Sequence, residues 1–345
     1  MNFASDNTAG AHPDIMAAIV RANAGAATSY GGDELTARAE RKFCEIFDRD
    51  VAVFFAATGT AANGLALSTM APSYGAVLCH EESHIHMDEC AAPEFFMGGG
   101  KLVPIKGGAG KLTPDGVAAT LAGYSRWRPH GAPASVLSFA QATECGTLYS
   151  TSEMKALCDL AHERGMKVHV DGARFANAVA ASGKTPAELS WKTGADVLSF
   201  GGSKNGCLAA EAVVFFNPAN AADFDYRRKR AGHLWSKSRF LAAQFDAYFA
   251  DGLWLALASH SNAMAKRLAA GLEQAGIAIG YPADVNALFP IFAPALAARL
   301  AAAGAAFYPW ATLGDWTGGK LHRLLCSWAT TDEDVENFLR ILRAA

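Results

Sequence analysis

The strongest chemical signal in the chain is a carboxylate and an amine placed after successive apolar runs. The segment Val168–Arg174, VHVDGAR, carries Asp171 at the end of a β-rich run. The next such run leads into SFGGSKNG, which carries Lys204. A carboxylate at the C-terminal end of a buried strand stands where α/β sheets place their ligands. A lysine in the Gly/Ser-rich turn after the following strand would point into the same crevice. Pyridoxal phosphate (PLP) uses that pair: the lysine forms a Schiff base with it, and the carboxylate keeps its ring nitrogen protonated. Either residue alone is ordinary; together, in this order, they predict a cofactor site.

A second segment supplies an anion anchor. AATGTAANG, 56–64, directly follows the run Val51–Phe55. A glycine turn opening a helix leaves backbone N–H groups free to meet a phosphate, and Thr58 and Thr60 add hydroxyls. The segment lacks the G-x-G-x-x-G of a dinucleotide site and the GK[ST] of a P-loop. A third segment, CHEESHIHMDEC at 79–90, groups His80, His84 and His86 with Asp88 and Glu89. Its spacing matches no metal motif, so no metal is expected. The better reading is one histidine lying over an aromatic cofactor ring and moving protons. No G-x-S-x-G nucleophile elbow is present, since Ser203 is followed by Lys-Asn-Gly. Cys79, Cys90 and Cys145 are expected to pack as small hydrophobes.

These residues must be positioned by a chain of 345 residues, 51% hydrophobic and 18% charged, which is a folding composition. Its 30 Lys+Arg against 33 Asp+Glu leave no basic excess for nucleic acid or an anionic membrane. Seven cysteines, an odd number, suit a reducing compartment. No apolar run reaches the roughly 18 residues of a membrane helix, and MNFASDNTAG does not read as a signal peptide. A cytoplasmic protein is expected.

Seven short apolar runs read as strands buried on both faces: Val51–Phe55, Ala76–Cys79, Leu102–Ile105, Val136–Phe139, Val168–Val170, Val197–Phe200 and Ala212–Phe216. Helices are expected at Thr60–Met70, Thr151–Arg164 and Pro186–Thr193, with Thr151 or Ser152 as an N-cap and Gly165 as a stop. Alternation of this kind predicts an α/β fold with a mainly parallel sheet. After Pro218 come the basic cluster RRKR (227–230) and a long amphipathic stretch from Ser238 to Gly276. Strand candidates follow at Ala287–Phe292, Ala306–Trp310 and Leu321–Trp328, then a helix from Asp332 to Leu342. The expected organisation is an arm, 1–25, a large cofactor-binding domain, 26–245, and a smaller C-terminal α+β domain, 246–345.

Taken as a set and in order, eight motifs make the chain resemble the threonine aldolase family. They are SDNTAG near the N-terminus, YGGDE (30–34), TGTAAN (58–63), SHIHMDE (83–89), QATECGTLYS (141–150), VDGAR (170–174), GGSKNG (201–206) and HRLLCSWATT (322–331). The resemblance implies PLP fold type I, that of aspartate aminotransferase, with a seven-stranded large-domain sheet. It implies that Lys204 is the Schiff-base lysine, Asp171 the partner of the ring nitrogen, and His84 the stacked histidine and proton carrier. Gly59 and Thr60 would hold the phosphate, and Ser5, Arg174 and Arg323 the substrate carboxylate. Arg174 would also adjoin the cofactor. Tyr30 would reach a neighbouring subunit's site, with Arg239 and Lys237 near the phosphate.

The implied reaction cleaves threonine, allo-threonine or a related β-hydroxy-α-amino acid such as phenylserine to glycine and an aldehyde. The implied assembly is a homodimer or homotetramer with shared sites, the N-terminal region running along the neighbouring subunit instead of over its own cofactor. Two features depart from the family pattern: Gln141-Ala142-Thr143-Glu144 stands where many members have Glu-Asn-Thr-His, and only His130 lies near the place of a second active-site histidine. Phe95, Phe96, Trp310 and Trp316 are candidates for a pocket that admits bulky aldehydes. An aminotransferase or a β-eliminating lyase would use the same Asp and Lys. A non-catalytic PLP-binding protein is disfavoured by the intact lysine.

Overall fold

Each of the seven apolar runs forms a strand of one sheet. The strands are β1 (Ala52–Ala56), β2 (Ala76–His80), β3 (Lys101–Ile105), β4 (Ala134–Ala140), β5 (Lys167–Gly172), β6 (Val197–Gly201) and β7 (Glu211–Phe215), in the order β1-β7-β6-β5-β4-β2-β3. Every residue of β2, β6 and β7 is buried, which is why these runs show no polar alternation. Pairing is parallel from β3 through β6, whereas β7 runs antiparallel to both β6 and β1. The turn between β6 and β7 is too short for a crossover, so the chain can only reverse. The computed structural model describes residues 1–124, 127–310 and 316–344.

The helix Gly59–Met70 lies between this sheet and the helix Ala92–Met97, and it is buried from Ala61 to Ser68. Gly64 admits that packing: a Cβ there would stand 2.7 Å from the Phe96 ring. Phe96 is thereby a packing residue, and Phe95, 77% exposed, faces outward. The helix Thr151–Glu163 is capped by Ser150, which forms a reciprocal capping box with Glu153, and not by Thr151 or Ser152. Pro186–Thr193 forms turns and a single 3-10 turn, Trp191–Thr193, instead of a helix. The Ser238–Gly276 stretch breaks into two helices, Arg239–Tyr248 and Leu253–Gln274. Asp251 (φ 50°) and Gly252 (φ 71°) take left-handed conformations between them, and no α-helix continues through such residues.

A smaller antiparallel sheet follows: β8 (Ala287–Leu288), β9 (Ile291–Phe292), β10 (Tyr308–Pro309) and β11 (Lys320–Leu325), the other three pairing with β11. The expected strand 287–292 splits in two around Phe289-Pro290, where proline cannot donate to a ladder. The last helix, Asp332–Arg343, carries a Thr331/Asp334 capping box and basic residues in its final turn.

The two sheets have separate cores, one around Phe43, Phe47, Phe200 and Phe245, the other around Leu268, Leu272, Leu324 and Phe338. The helix Leu253–Gln274 belongs to both, with Trp254 and Leu257 in the first and Leu268 and Leu272 in the second. Phe3 is buried in the second core, and its backbone bonds to Ala306 and Leu325 tie the N-terminus there. Residues 5–7 therefore fold over this chain's own cleft, contrary to the expectation for the arm. Among the described residues no helix is long and apolar enough to cross a membrane.

Candidate active site

Lys204 follows β6 in a 3-10 turn, Ser203–Asn205, that the surroundings pin in place. Asn205 Nδ2 donates to Tyr248 Oη at 2.6 Å and to the Trp254 carbonyl at 2.9 Å, and Ser203 Oγ accepts from Ala210 N at 3.1 Å. Only glycine fits at 201, where a Cβ would lie 2.6 Å from the Ala173 carbonyl. Nothing among the described residues hydrogen-bonds the Lys204 amine. Burial, reinforced by Arg174, lowers its pKa against the pull of Asp6, Asp171 and Glu211. An amine disfavoured as ammonium is primed as a nucleophile.

Asp171, near the end of β5, accepts from Asn63 Nδ2 at 2.8 Å and from Ala173 N at 2.9 Å. Burial alone would raise its pKa. His84, His169, the Ala173 N–H and Lys204 together bring it below the ordinary carboxylate value. It is a buried permanent anion, as a pyridinium partner must be. His169 lies behind it, paired with Ser138 Oγ (2.8 Å) and Ser199 Oγ (2.9 Å). Burial pushes it down to about 4, so it stays neutral near pH 7.

His84 opens the short helix His84–Met87. Its backbone N–H donates to Glu144 Oε1 at 2.8 Å, and its Nδ1 lies 2.8 Å from Glu89 Oε1. The bond to Glu89 raises the His84 pKa despite burial. That same Glu89 oxygen accepts from Asn63 Nδ2 at 2.8 Å, so one amide joins the carboxylate behind His84 to Asp171.

Two adjoining chambers, about 400 and 350 Å³, meet at Asn7, His84 and Lys204. The first is walled by Thr58, Gly59 and Thr60 at the start of the helix Gly59–Met70, where the first N–H groups have no helical acceptor. Thr58 itself serves as N-cap, accepting from Ala61 N at 3.2 Å. Ser5, Glu144, Arg174, Trp310 and Arg323 line the second. Arg323 reaches it from β11, its guanidinium 4.6 Å above the Trp310 ring and 6.0 Å from that of Tyr308, with Nε buried and unpartnered. Arg174 is differently placed: its Nε and Nη2 are clamped by Asp6 at 2.7 and 3.0 Å, so its fork is already engaged.

The residues present suit PLP. A half-buried amine and an open helix N-terminus line one cleft, a buried carboxylate lies behind its wall, and Glu89 Oε2 and Asn63 Oδ1 are buried without partners beside it. Seven of the ten expected site residues line the chambers: Lys204, His84, Gly59, Thr60, Ser5, Arg174 and Arg323; Asp171 lies behind the wall, bonded to Ala173, which lines the first. Tyr30 and Arg239 do not line these chambers. Tyr30 is half exposed beneath the Lys229 ammonium at 4.7 Å, and Arg239 donates to the Gly25 carbonyl at 3.1 Å. His80 is bound to Gly107 O and Glu82 N, while His86 and His130 are exposed. Of the four aromatic candidates Trp310 lines the cleft, and Trp316 packs on Tyr281. Cys90 is exposed at a left-handed turn position instead of packing inward with Cys79 and Cys145.

Four participants escaped sequence reading: Asn63, Asp6, Asn7 and, as a partner of His84, Glu89. Asn63 had left one trace, as a large polar side chain in an otherwise Ala/Gly/Leu stretch.

Known proteins agree with this geometry. The family model described as β-eliminating lyase matches residues 2–294. A low-specificity L-threonine aldolase of Pseudomonas aeruginosa is 45% identical over 343 residues, covering 99% of this chain and 96% of that protein. One from Saccharomyces cerevisiae is 27% identical over 80% of this chain and 70% of that one. The solved threonine aldolase of Leishmania major superposes with a TM-score of 0.92 at 29% identity, over 99% of this chain and 98% of that one. With a full-length relative at this identity and a family model across most of its length, the chain belongs to the β-eliminating lyase family, on the branch that carries the low-specificity threonine aldolases.

Proposed function

We propose that this protein is a PLP-dependent lyase of the low-specificity threonine aldolase type, cleaving L-threonine and related β-hydroxy-α-amino acids to glycine and an aldehyde. The observation that carries the reading is the meeting of Lys204 and His84 in one cleft that also holds a helix N-terminus and the Arg323 guanidinium, with the buried Asp171 directly behind its Ala173 wall. Lys204 would hold the cofactor, Asp171 would face its ring nitrogen, and Gly59 and Thr60 would bind its phosphate. Bound there, PLP supplies an electron sink for the pair left on Cα when the Cα–Cβ bond breaks.

The protein's own groups do the rest. Arg323, beside the Trp310 and Tyr308 rings and with Nη2 3.4 Å from the Ala4 carbonyl, presents a guanidinium that suits the oxygens of an α-carboxylate, and Ser5 adds a hydroxyl. Fixing the carboxylate decides which bond at Cα stands perpendicular to the cofactor plane, and that bond alone can cleave. His84, anchored through Nδ1 by Glu89, keeps its other nitrogen for the cleft. The site is further proposed to be completed in a homo-oligomer, where Tyr30 and Arg239 of one protomer serve its partner. A reducing cytoplasm suits the seven unpaired cysteines.

Purified protein with added PLP, given L-threonine, should release glycine and acetaldehyde in equal amounts. Keto acid and a transferred amino group would identify an aminotransferase instead, and ammonia with an oxo acid an eliminating lyase.

A further inference from the structure

Among the titratable groups that line the second chamber are His84 and Glu144, and the structure divides their work. His84 has its Nδ1 on the Glu89 carboxylate, a bond that favours the imidazolium. A ring drawn toward its protonated form is the weaker proton acceptor of the two. The remaining carboxylates are also committed. Asp171 is bound by Asn63 and Ala173, Asp6 by both arms of Arg174, Glu89 by His84, and Glu211, in the first chamber only, by Ser203 N, while Asp88 is exposed at the rim.

Glu144 is placed differently. One carboxyl oxygen accepts from His84 N at 2.8 Å and the carboxyl also accepts from its own backbone N–H, which fixes the group, and no side chain among those described hydrogen-bonds it. The side chain lines the chamber with Ser5, Lys204 and Arg323. Its turn is closed on itself. Gln141 exchanges hydrogen bonds with the Tyr149 backbone, both at 3.0 Å, and Thr143 N and Oγ1 pair with Thr147 O and Oγ1 at 3.0 and 2.8 Å. A rigid turn presenting to a substrate chamber a carboxyl held by backbone N–H groups and by no side chain is the geometry of a general acid–base group.

We propose that Glu144 is the catalytic acid–base residue of the aldol step, exchanging a proton with the substrate's β-hydroxyl. The proposal rests on the aldolase reading above. In cleavage the β-O–H bond breaks and its proton passes to the Glu144 carboxylate, while the O–H electron pair becomes the second bond of the aldehyde C=O. The Cα–Cβ bond breaks, and its electron pair stays on Cα, where the bound cofactor accepts it. In synthesis Glu144 returns the proton to the former aldehyde oxygen as that bond re-forms. Burial, and after it Asp171, pushes this carboxyl up to about 7, against the His84 N–H and its own, so acid and base forms are both populated near neutrality. The charged or titratable groups around it are Asp171 from β5, Cys79 from β2, His84 in the short helix and Asp88 after it, Cys145 and Tyr149 from its own turn, and Lys204, Arg174, Arg323 and Tyr308 across the chamber.

Glu144→Gln separates proton transfer from anchoring, because the amide oxygen can still accept from the His84 N–H. Two reactions are measured on the PLP-loaded variant: threonine cleavage, and exchange of the glycine α-proton with D2O, which involves no β-hydroxyl. Threonine cleavage should fall roughly a hundredfold or more, while glycine exchange stays within a few-fold. The visible absorbance of the bound cofactor, and its change on adding glycine, should match wild type. Glu144→Asp should recover part of the cleavage rate. Cleavage within a few-fold of wild type overturns the proposal, as does an equal fall in both reactions, which would make Glu144 a structural anchor. Wild-type protein that exchanges glycine but never cleaves threonine would sink the aldolase reading itself, and the proposal with it.

Discussion

His84 Nδ1 lies 2.8 Å from Glu89 Oε1, and that oxygen also receives the Asn63 amide that bonds Asp171. One carboxylate thus sets the orientation of the histidine and, through Asn63, shares a hydrogen-bonded chain with the proposed partner of the ring nitrogen. Replacing Glu89 by Gln removes the charge that holds the imidazolium. The His84 pKa should fall, and kcat should drop about ten- to a hundredfold, as loss of a charge-assisted hydrogen bond predicts. NMR titration of the His84 ring checks the first point; an unmoved titration would show that Glu89 does not set its charge.

Lys204→Ala and Asp171→Asn should fail in different ways. The first should leave a folded protein without the visible absorbance of lysine-bound cofactor and without turnover. The second should retain PLP and lose kcat by roughly a hundredfold or more, since a neutral amide stabilises the developing carbanion poorly. Absorbance spectra and single-turnover rates distinguish them, and unchanged kcat in Asp171→Asn would mean that this carboxylate does not face the ring nitrogen.

The two arginines make contrasting forecasts. Arg323 has an unpartnered Nε and an aromatic support, so Arg323→Lys should raise KM for threonine about tenfold or more while leaving stability close to wild type. Arg174 is bound at both prongs to Asp6, whose side chain is 1% exposed, so Arg174→Lys should also lower the melting temperature. Equal effects on KM and stability in both variants would refute the assignment of the carboxylate to Arg323.

Glu211, beside Lys204, is pushed by burial up to about 7 from an ordinary 4.5. A carboxyl that binds its proton more tightly folded than unfolded contributes its full stabilisation below about pH 4.5 and loses it as pH rises through about 7. Between pH 5 and 8 the cofactor-free protein should therefore lose stability with rising pH, and Glu211→Gln should flatten that slope. Urea midpoints across the range test this; parallel slopes would count against it.

Tyr30 and Arg239 stand outside the cleft of their own chain, so mixing should reveal a shared site. Lys204→Ala and Tyr30→Ala protomers, each weak alone, should regain activity when exchanged, because one hybrid site carries neither defect. If mass analysis confirms exchange and activity stays absent, Tyr30 has no role across the interface.

Seven apolar runs located all seven strands of the larger sheet, because burial on both faces leaves nothing polar to blur the pattern. Asp171 and Lys204 were legible for a related reason: strand ends in such a sheet converge on one edge, so order along the chain implies proximity in space. Local pattern failed where a single backbone position decides. The break at Asp251 and Gly252 interrupts what the sequence shows only as one long amphipathic stretch, and Phe289-Pro290 divides an expected strand. It failed most completely for long-range polar pairs. Asn63 meets Asp171 across 108 positions and Asp6 meets Arg174 across 168, and neither pairing leaves a periodicity or a spacing to read. A hydrogen bond depends on where two atoms end up to within a few tenths of an ångström. Chain order can bring residues to the same edge of a sheet, but only the packed tertiary structure decides which of them touch.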